Sequence, residues 1–205
     1  MSERTDSELW EAARRGNAEA YGVLYERHVH AIYNYLFRRL ADWSEAEDMT
    51  AVVFLEAFRR RNDVRLSEGK VLPWLYGVAT NVLRNRRRSL WYHRDVLRRL
   101  ALDQAAPKYA YETGERLDAE EEMREILRRL RKLPKSQQDV VALCVWSGLS
   151  YEETADALGV AIGTVRSRLS RARAALVELR EPPRHETDDG TYTPQRSIHH
   201  DQPST

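Results

Sequence analysis

The chain has 205 residues, 42% hydrophobic and 32% charged, and its Lys and Arg nearly balance its Asp and Glu for a formal net charge of +1. That length suits one or two domains, and a single cysteine, Cys144, excludes an internal disulfide. No apolar run approaches the roughly 20 residues that a membrane-spanning helix needs, and the opening "MSERTDSELW" holds no apolar signal core, so the expected location is cytoplasmic, with no membrane insertion.

Helical spacing dominates and no stretch alternates apolar with polar residues, which predicts an all-α protein. Thr5-x-x-Glu8 and Ser44-x-x-Glu47 each fit a capping box, in which Ser or Thr accepts a backbone N–H and Glu reaches back. After the second, "AEDMTAVVFLEAFRRR" is apolar nearly all round. Met49, Val53, Phe54, Ala57 and Phe58 would fill a core, leaving Asp48, Val52, Glu56 and Arg59 on the remaining face. A helix this apolar is normally covered on more than one side, which points to a protein partner.

Pro73 suits the first turn of the next helix. In "PWLYGVATNVLRNRRRS", Leu75, Ala79, Val82 and Leu83 share one face, while Trp74, Gly77, Asn81, Arg84, Asn85 and Arg88 share the other. An exposed Trp beside Asn and Arg suits unpaired bases and phosphates, stacking being worth about 1–3 kcal/mol per base. The alternative is a Trp74 tucked into the core, with only the arginines wet. These helices make a first block over residues 5–92.

Residues 93–118 read as a flexible linker, "LDQAAPKYAYETGERLD" mixing Pro, Gly and charge. The basic stretch 84–99 and the acidic stretch 111–125 flank it. Glu120, Glu121 and Glu122 either fold back onto arginines meant for nucleic acid or simply solvate a helix start near residue 119.

The second block spans 119–180. Pro134 suits one helix start, and Ser150-x-x-Glu153 is a further capping box. Ser150 would cap a helix through Leu158, Gly159 would take the positive φ of a helix end, and a second helix would run from about Gly163 to Leu179. Helix, short Gly-containing turn and helix make the helix-turn-helix pattern, whose second helix enters the DNA major groove. At 100° per residue Val165, Leu169, Ala172 and Leu176 fall within roughly 60° of one another, which makes them the buried stripe. Thr164, Ser167, Ser170 and Arg171 point away, and Arg166, Arg168 and Arg173 flank the stripe. A face of hydroxyls and guanidiniums, with no acid before Glu178, suits guanine edges and phosphates. Residues 181–205 have almost nothing to bury and are expected to be disordered.

No nucleophile–base pair stands out. The carboxylates of "DWSEAED" would suit a nuclease's metals, but acids at a helix start are common for dipole reasons alone. His28, His30, His199 and His200 lack metal-ligand spacing with Cys or Asp partners. The expectation is therefore no catalytic residue, no cofactor and no metal. A dimeric helix-turn-helix repressor or activator would account for the second block and leave Trp74 and the arginine run unexplained.

The two blocks together resemble a known family. "AED" at Ala46–Asp48 with Phe54, "WLYGVATN" at 74–81 and the run Arg86–Arg88 stand in the first block. Leu133–Pro134 and "GLSYEETADALGVAIGTVRSRLSRARAAL" stand in the second. Over about residues 9–179 the chain is similar to the extracytoplasmic-function sigma factors, group IV of the sigma-70 family of bacterial RNA polymerase. The resemblance implies a region 2 bundle (5–92) that binds core polymerase and opens the minus-ten element, and a region 4 helix-turn-helix (119–180) that reads the minus-thirty-five element. It implies minus-thirty-five contacts from Thr164, Arg166, Ser167, Arg168, Ser170, Arg171 and Arg173. Minus-ten contacts would come from Asn62, Asp63, Trp74, Asn81, Arg84, Asn85 and Arg88. Asp48, Val52 and Glu56 would face the polymerase, Ala51 and Val52 standing where many relatives carry Gln-Glu. The implied partners are core RNA polymerase (β′ clamp and β flap), promoter DNA and an anti-sigma factor.

Overall fold

A computed structural model describes residues 4–64, 66, 70–85 and 113–178. Every regular element among them is helical: α1 (Asp6–Arg14), α2 (Ala18–Leu40), α3 (Trp43–Arg60), α4 (Val71–Arg84), α5 (Thr113–Leu130), α6 (Lys135–Val141), α7 (Tyr151–Leu158) and α8 (Ile162–Glu178). The expected tail, the arginine run Arg86–Arg88 and residues 93–112 of the expected linker lie outside the described residues.

Local chemistry sets most boundaries. Thr5 caps α1 in a full capping box with Glu8. Gly16 (φ 95°) then turns the chain and Asn17 caps α2 through the N–H of Ala20, a break the apolar spacing does not announce. Helix α2 ends on Ala41 in the left-handed region (φ 54°), held by its N–H on the Phe37 carbonyl at 2.7 Å. That conformation costs a non-glycine residue about 1–2 kcal/mol, and Ala41 is buried here. The expected cap of α3 is displaced. Asp42, not Ser44, accepts from Glu45 N–H at 2.8 Å, because the chain leaves the Ala41 turn two residues earlier than expected and Asp is an equally good cap.

Helices α1 to α4 form one bundle, with α2 packed on α1, α3 and α4. Ile32, Leu36, Met49, Val53 and Ala79 are sealed inside it. Phe58 and Leu83, expected in the core, are only half-buried. In the second half α6 and α7 pack on α8, with Val140, Leu143, Val165, Leu169 and Ala172 at the centre. Leu176, at the far end of the stripe, is half-covered.

Three features depart from expectation. First, α5 begins at Thr113, so residues 113–118 of the expected linker are helical. Gly114 sits in the first turn, where it costs least, and the Glu/Arg-rich sequence beyond supports itself through i, i+3 and i, i+4 pairs such as Arg124–Glu120 and Arg124–Glu121. Second, α6 runs directly into a π-turn over Ala142–Trp146, closed by Ser147 N–H on the Ala142 carbonyl. Third, the two halves touch: α4 lies against α7, and α2 meets α5 and the π-turn. A single hydrophobic core runs through both blocks.

Two measurements check this packing. Leu169→Ala is expected to destabilise the chain by about 2–5 kcal/mol in urea denaturation, as for a buried leucine that leaves a cavity. Cys144 is half-buried rather than sealed, its Sγ lies 3.2 Å from Thr154 Oγ1, and burial pushes its thiol up from the ordinary value. Little thiolate is then present at neutral pH, so iodoacetamide at pH 8 is expected to label native Cys144 several-fold more slowly than the urea-unfolded chain.

Candidate nucleic-acid interface

The helix-turn-helix forms as its sequence requires. Ser150 Oγ accepts from Glu153 N–H at 3.1 Å and Glu153 Oε2 accepts from Ser150 N–H at 3.0 Å. Gly159 takes φ 64° at the end of α7, where a glycine carries no Cβ penalty. Helix α8 starts at Ile162, a residue earlier than its spacing suggests.

Helix α8 buries Val165, Leu169 and Ala172 against the rest of the fold. Arg166, Ser167, Ser170, Arg171 and Arg173 are exposed, while Thr164 and Arg168 are half-covered. None of the four arginines forms an ion pair among the described residues. Two of them meet neutral partners instead. Arg171 Nε donates to the Ser167 carbonyl at 3.2 Å and its Nη2 to Ser167 Oγ at 3.4 Å, while Ser167 Oγ donates to the Thr164 carbonyl at 3.1 Å. The Arg166 guanidinium lies 5.8 Å from the centre of the Tyr151 ring. Glu152 of α7 stands at the edge of this face; its backbone and Ser150 hydrogen bonds hold its carboxyl below the ordinary value, helped by Arg166. The face is thus cationic, hydroxyl-bearing and pre-ordered, which suits a polyanion with hydrogen-bonding edges.

The second expected surface is divided. Asn81 and Asn85 of α4 are exposed, as are Asn62 and Asp63 just beyond α3. Trp74 is half-buried, its ring edge-on to the sealed Trp10 with centroids 4.9 Å apart. It is therefore neither a free stacking platform nor a core residue. Gly77, expected on the exposed face, is buried; a Cβ there would stand 2.6 Å from the Ala157 carbonyl oxygen of α7. Only glycine lets the two backbones approach so closely. Arg84 stays exposed, its side chain 42% accessible, yet reaches Asp139 of α6 with Nη2 and Nε on Oδ2 at 2.8 and 3.1 Å.

Asp139 is the feature the sequence reading missed. Its carboxylate is 2% exposed and also accepts from Arg39 Nη2 of α2 at 2.8 Å. The signal was present as a lone acid entering the apolar run "VVALCVW". Further polar contacts join the two halves: Arg38 Nη1 donates to the Trp146 carbonyl at 2.8 Å, Lys70 Nζ lies 3.7 Å from Glu153 Oε1, and the Trp43 backbone N–H donates to Glu120 Oε1 at 3.1 Å. Tyr35, sealed beneath the cluster, shares a 2.7 Å hydrogen bond with Thr80 Oγ1, and burial raises its phenol above the ordinary range.

On α3, Asp48 is exposed and Glu56 half-covered, but Val52 is 3% exposed. Val52 therefore belongs to the core and not to an outward face. The residue exposed beside Asp48 is Ala51, because the bundle wraps further round α3 than the wheel suggested. Glu120 and Glu121 pair with Arg124 of their own helix. Among the described residues no three His, Cys, Asp or Glu side chains converge to hold a metal, and no helix is long and apolar enough to cross a membrane.

Residues 24–93 match sigma-70 region 2 and residues 123–176 match sigma-70 region 4. The chain is 30% identical over 189 residues to the ECF RNA polymerase sigma-E factor of Escherichia coli, covering 89% of this chain and 98% of that protein. It is also 30% identical to the ECF sigma factor BldN of Streptomyces coelicolor, covering 84% of this chain and 64% of BldN. Among solved structures, CnrH, determined in complex with the cytosolic domain of CnrY, superposes with a TM-score of 0.62 at 23% identity over 85% of this chain and 96% of that one. RpoE of Bartonella quintana, determined with the anti-sigma factor NepR, gives 0.55 at 22% over 79% and 97%. These last two likenesses establish the shared fold.

Proposed function

We propose that this chain, which belongs to the extracytoplasmic-function sigma factors of the sigma-70 family, joins core RNA polymerase and directs it to specific promoters through two separate DNA surfaces. The observation that carries this is the face of α8: four arginines and two serines, with no acid on that face and no ion pair among the described residues, on a helix-turn-helix frame. In this reading Arg166, Ser167, Ser170, Arg171 and Arg173 meet the minus-thirty-five duplex in its major groove, with Thr164 and Arg168 at its edges. Arg171, tethered to Ser167 along its own helix, is assigned to pair with a guanine.

The minus-ten surface is assigned to Asn62, Asp63, Trp74, Asn81, Arg84, Asn85 and Arg88. The exposure of the four Asn and Asp residues supports it, and Trp74 is half-buried. Polymerase contacts are assigned to Asp48 and Glu56 on α3 for the β′ clamp, and to the second half for the β flap. The solved relatives held by partner proteins support an anti-sigma factor as a further partner. The chemistry of transcription belongs to the polymerase, and the chain adds binding and positioning in the cytoplasm.

Run-off transcription tests the reading. Core polymerase with the chain is expected to give promoter-dependent transcripts that neither gives alone. Transcription equally strong from unrelated fragments would sink the idea. Arg171→Ala is expected to weaken promoter recognition by about 1–3 kcal/mol and to relax one position of the upstream element. Arg88→Ala is expected to weaken binding evenly across sequences and to lower the salt dependence. Both are read by competition binding of the polymerase complex over a panel of promoter variants.

A further inference from the structure

We infer that Arg39 and Arg84 together form a binding site for a backbone phosphate of the opened promoter strand, and that Asp139 occupies this site with its own carboxylate while the two halves of the chain are closed. The inference rests on the promoter-binding reading and adds to it a residue, Arg39, and an internal competitor.

Two guanidiniums from different helices converge on one carboxylate. Arg39 Nη2 donates to Oδ1 at 2.8 Å, and Arg84 Nη2 and Nε donate to Oδ2 at 2.8 and 3.1 Å. The cluster holds two positive charges against one negative charge, so the carboxylate leaves it cationic. Arg39 Nη1 is buried with no hydrogen-bond partner, a donor that the planar carboxylate does not reach. A phosphodiester carries the same single charge but spreads its oxygens tetrahedrally, and so offers a further acceptor to that donor. Guanidinium forks fit phosphate in this way.

The surroundings fit a nucleic-acid strand. Asn81 Oδ1 lies 3.5 Å from Arg84 Nη1, and Asn81 and Asn85 are exposed on the same helix. The neutral hydroxyls of Tyr35 and Thr80 pair with each other beneath the cluster. Asp139 is the carboxylate that meets both guanidiniums. It arrives on α6, from the half of the chain that must reach the distant upstream element. The same closure lays α7 across Gly77. DNA and α6 therefore compete for one pair of cations.

The test uses the full chain without polymerase and a short labelled single strand of minus-ten sequence, with folding checked by circular dichroism. Asp139→Asn removes the competing charge. Gly77→Ala independently forces α4 and α7 apart without touching a charge, since its Cβ meets backbone, and it carries the test if Asp139→Asn does not fold. Each opened variant is expected to bind the strand about tenfold more tightly. The slope of log affinity on log salt should steepen by about 0.7 for each phosphate gained. Adding Arg39→Gln to an opened variant is expected to remove about 0.7 of that slope. Unchanged affinity in the folded opened variants, or an unchanged slope on adding Arg39→Gln, overturns the inference. Promoter-dependent run-off by the wild-type chain with core polymerase is read in parallel. Its absence condemns the promoter reading, while its presence alongside a negative salt result condemns the phosphate site alone.

Discussion

A carboxylate taken out of water costs several kcal/mol unless its oxygens are met by charged donors. Asp139 is 2% exposed and is met by Arg39 from α2 and Arg84 from α4. That constraint ties three helices from both halves of the chain to one point. Much of the arrangement follows from it. Arg84 cannot lie free beside Asn81 and Asn85 while it answers Asp139. Helix α6 must lie against the first bundle, and its π-turn then brings the Trp146 carbonyl to Arg38. Placing α6 also places α7, whose backbone reaches α4 at a position that only glycine leaves open.

The two cationic surfaces are built on opposite principles. On α8 Arg171 is held by the Ser167 hydroxyl and carbonyl and Arg166 lies over a tyrosine ring, so their charge stays available to a ligand. On α4 the exposed arginine shares the Asp139 carboxylate with Arg39, so its charge is paired in part within the chain. A surface that keeps its charge unpaired suits early encounter with duplex DNA through long-range attraction. A surface whose charge is already paired suits contact after the two halves have separated. The difference lies in the partners and not in the residue type, since both faces are Arg-rich in sequence.

The helix-turn-helix was legible because its determinants are local. Ser150 and Glu153 satisfy each other across three residues, Gly159 supplies one left-handed residue, and Val165, Leu169 and Ala172 repeat at helical spacing. The displaced cap of α3 shows where such signals mislead. Asp42 and Ser44 are both competent caps, and the left-handed turn at Ala41, set by burial, selects the first. Val52 shows the same for burial. A helical wheel ranks faces, but how far the neighbouring helices wrap round α3 decides where the core stops.

What the sequence by itself determined is the all-helical class, the order of the two blocks, the caps of α1 and α7, and the cationic character of α8. Each depends on hydrogen bonds and spacings within a few residues along the chain. What only the tertiary structure decided is the pairing of Asp139 with residues 100 and 55 positions away, the burial of Gly77 and the half-covering of Trp74. Those depend on which helix faces meet. Apolar surface favours burial without specifying its partner, so a face described by periodicity alone leaves open whether water, DNA or another part of the chain lies against it.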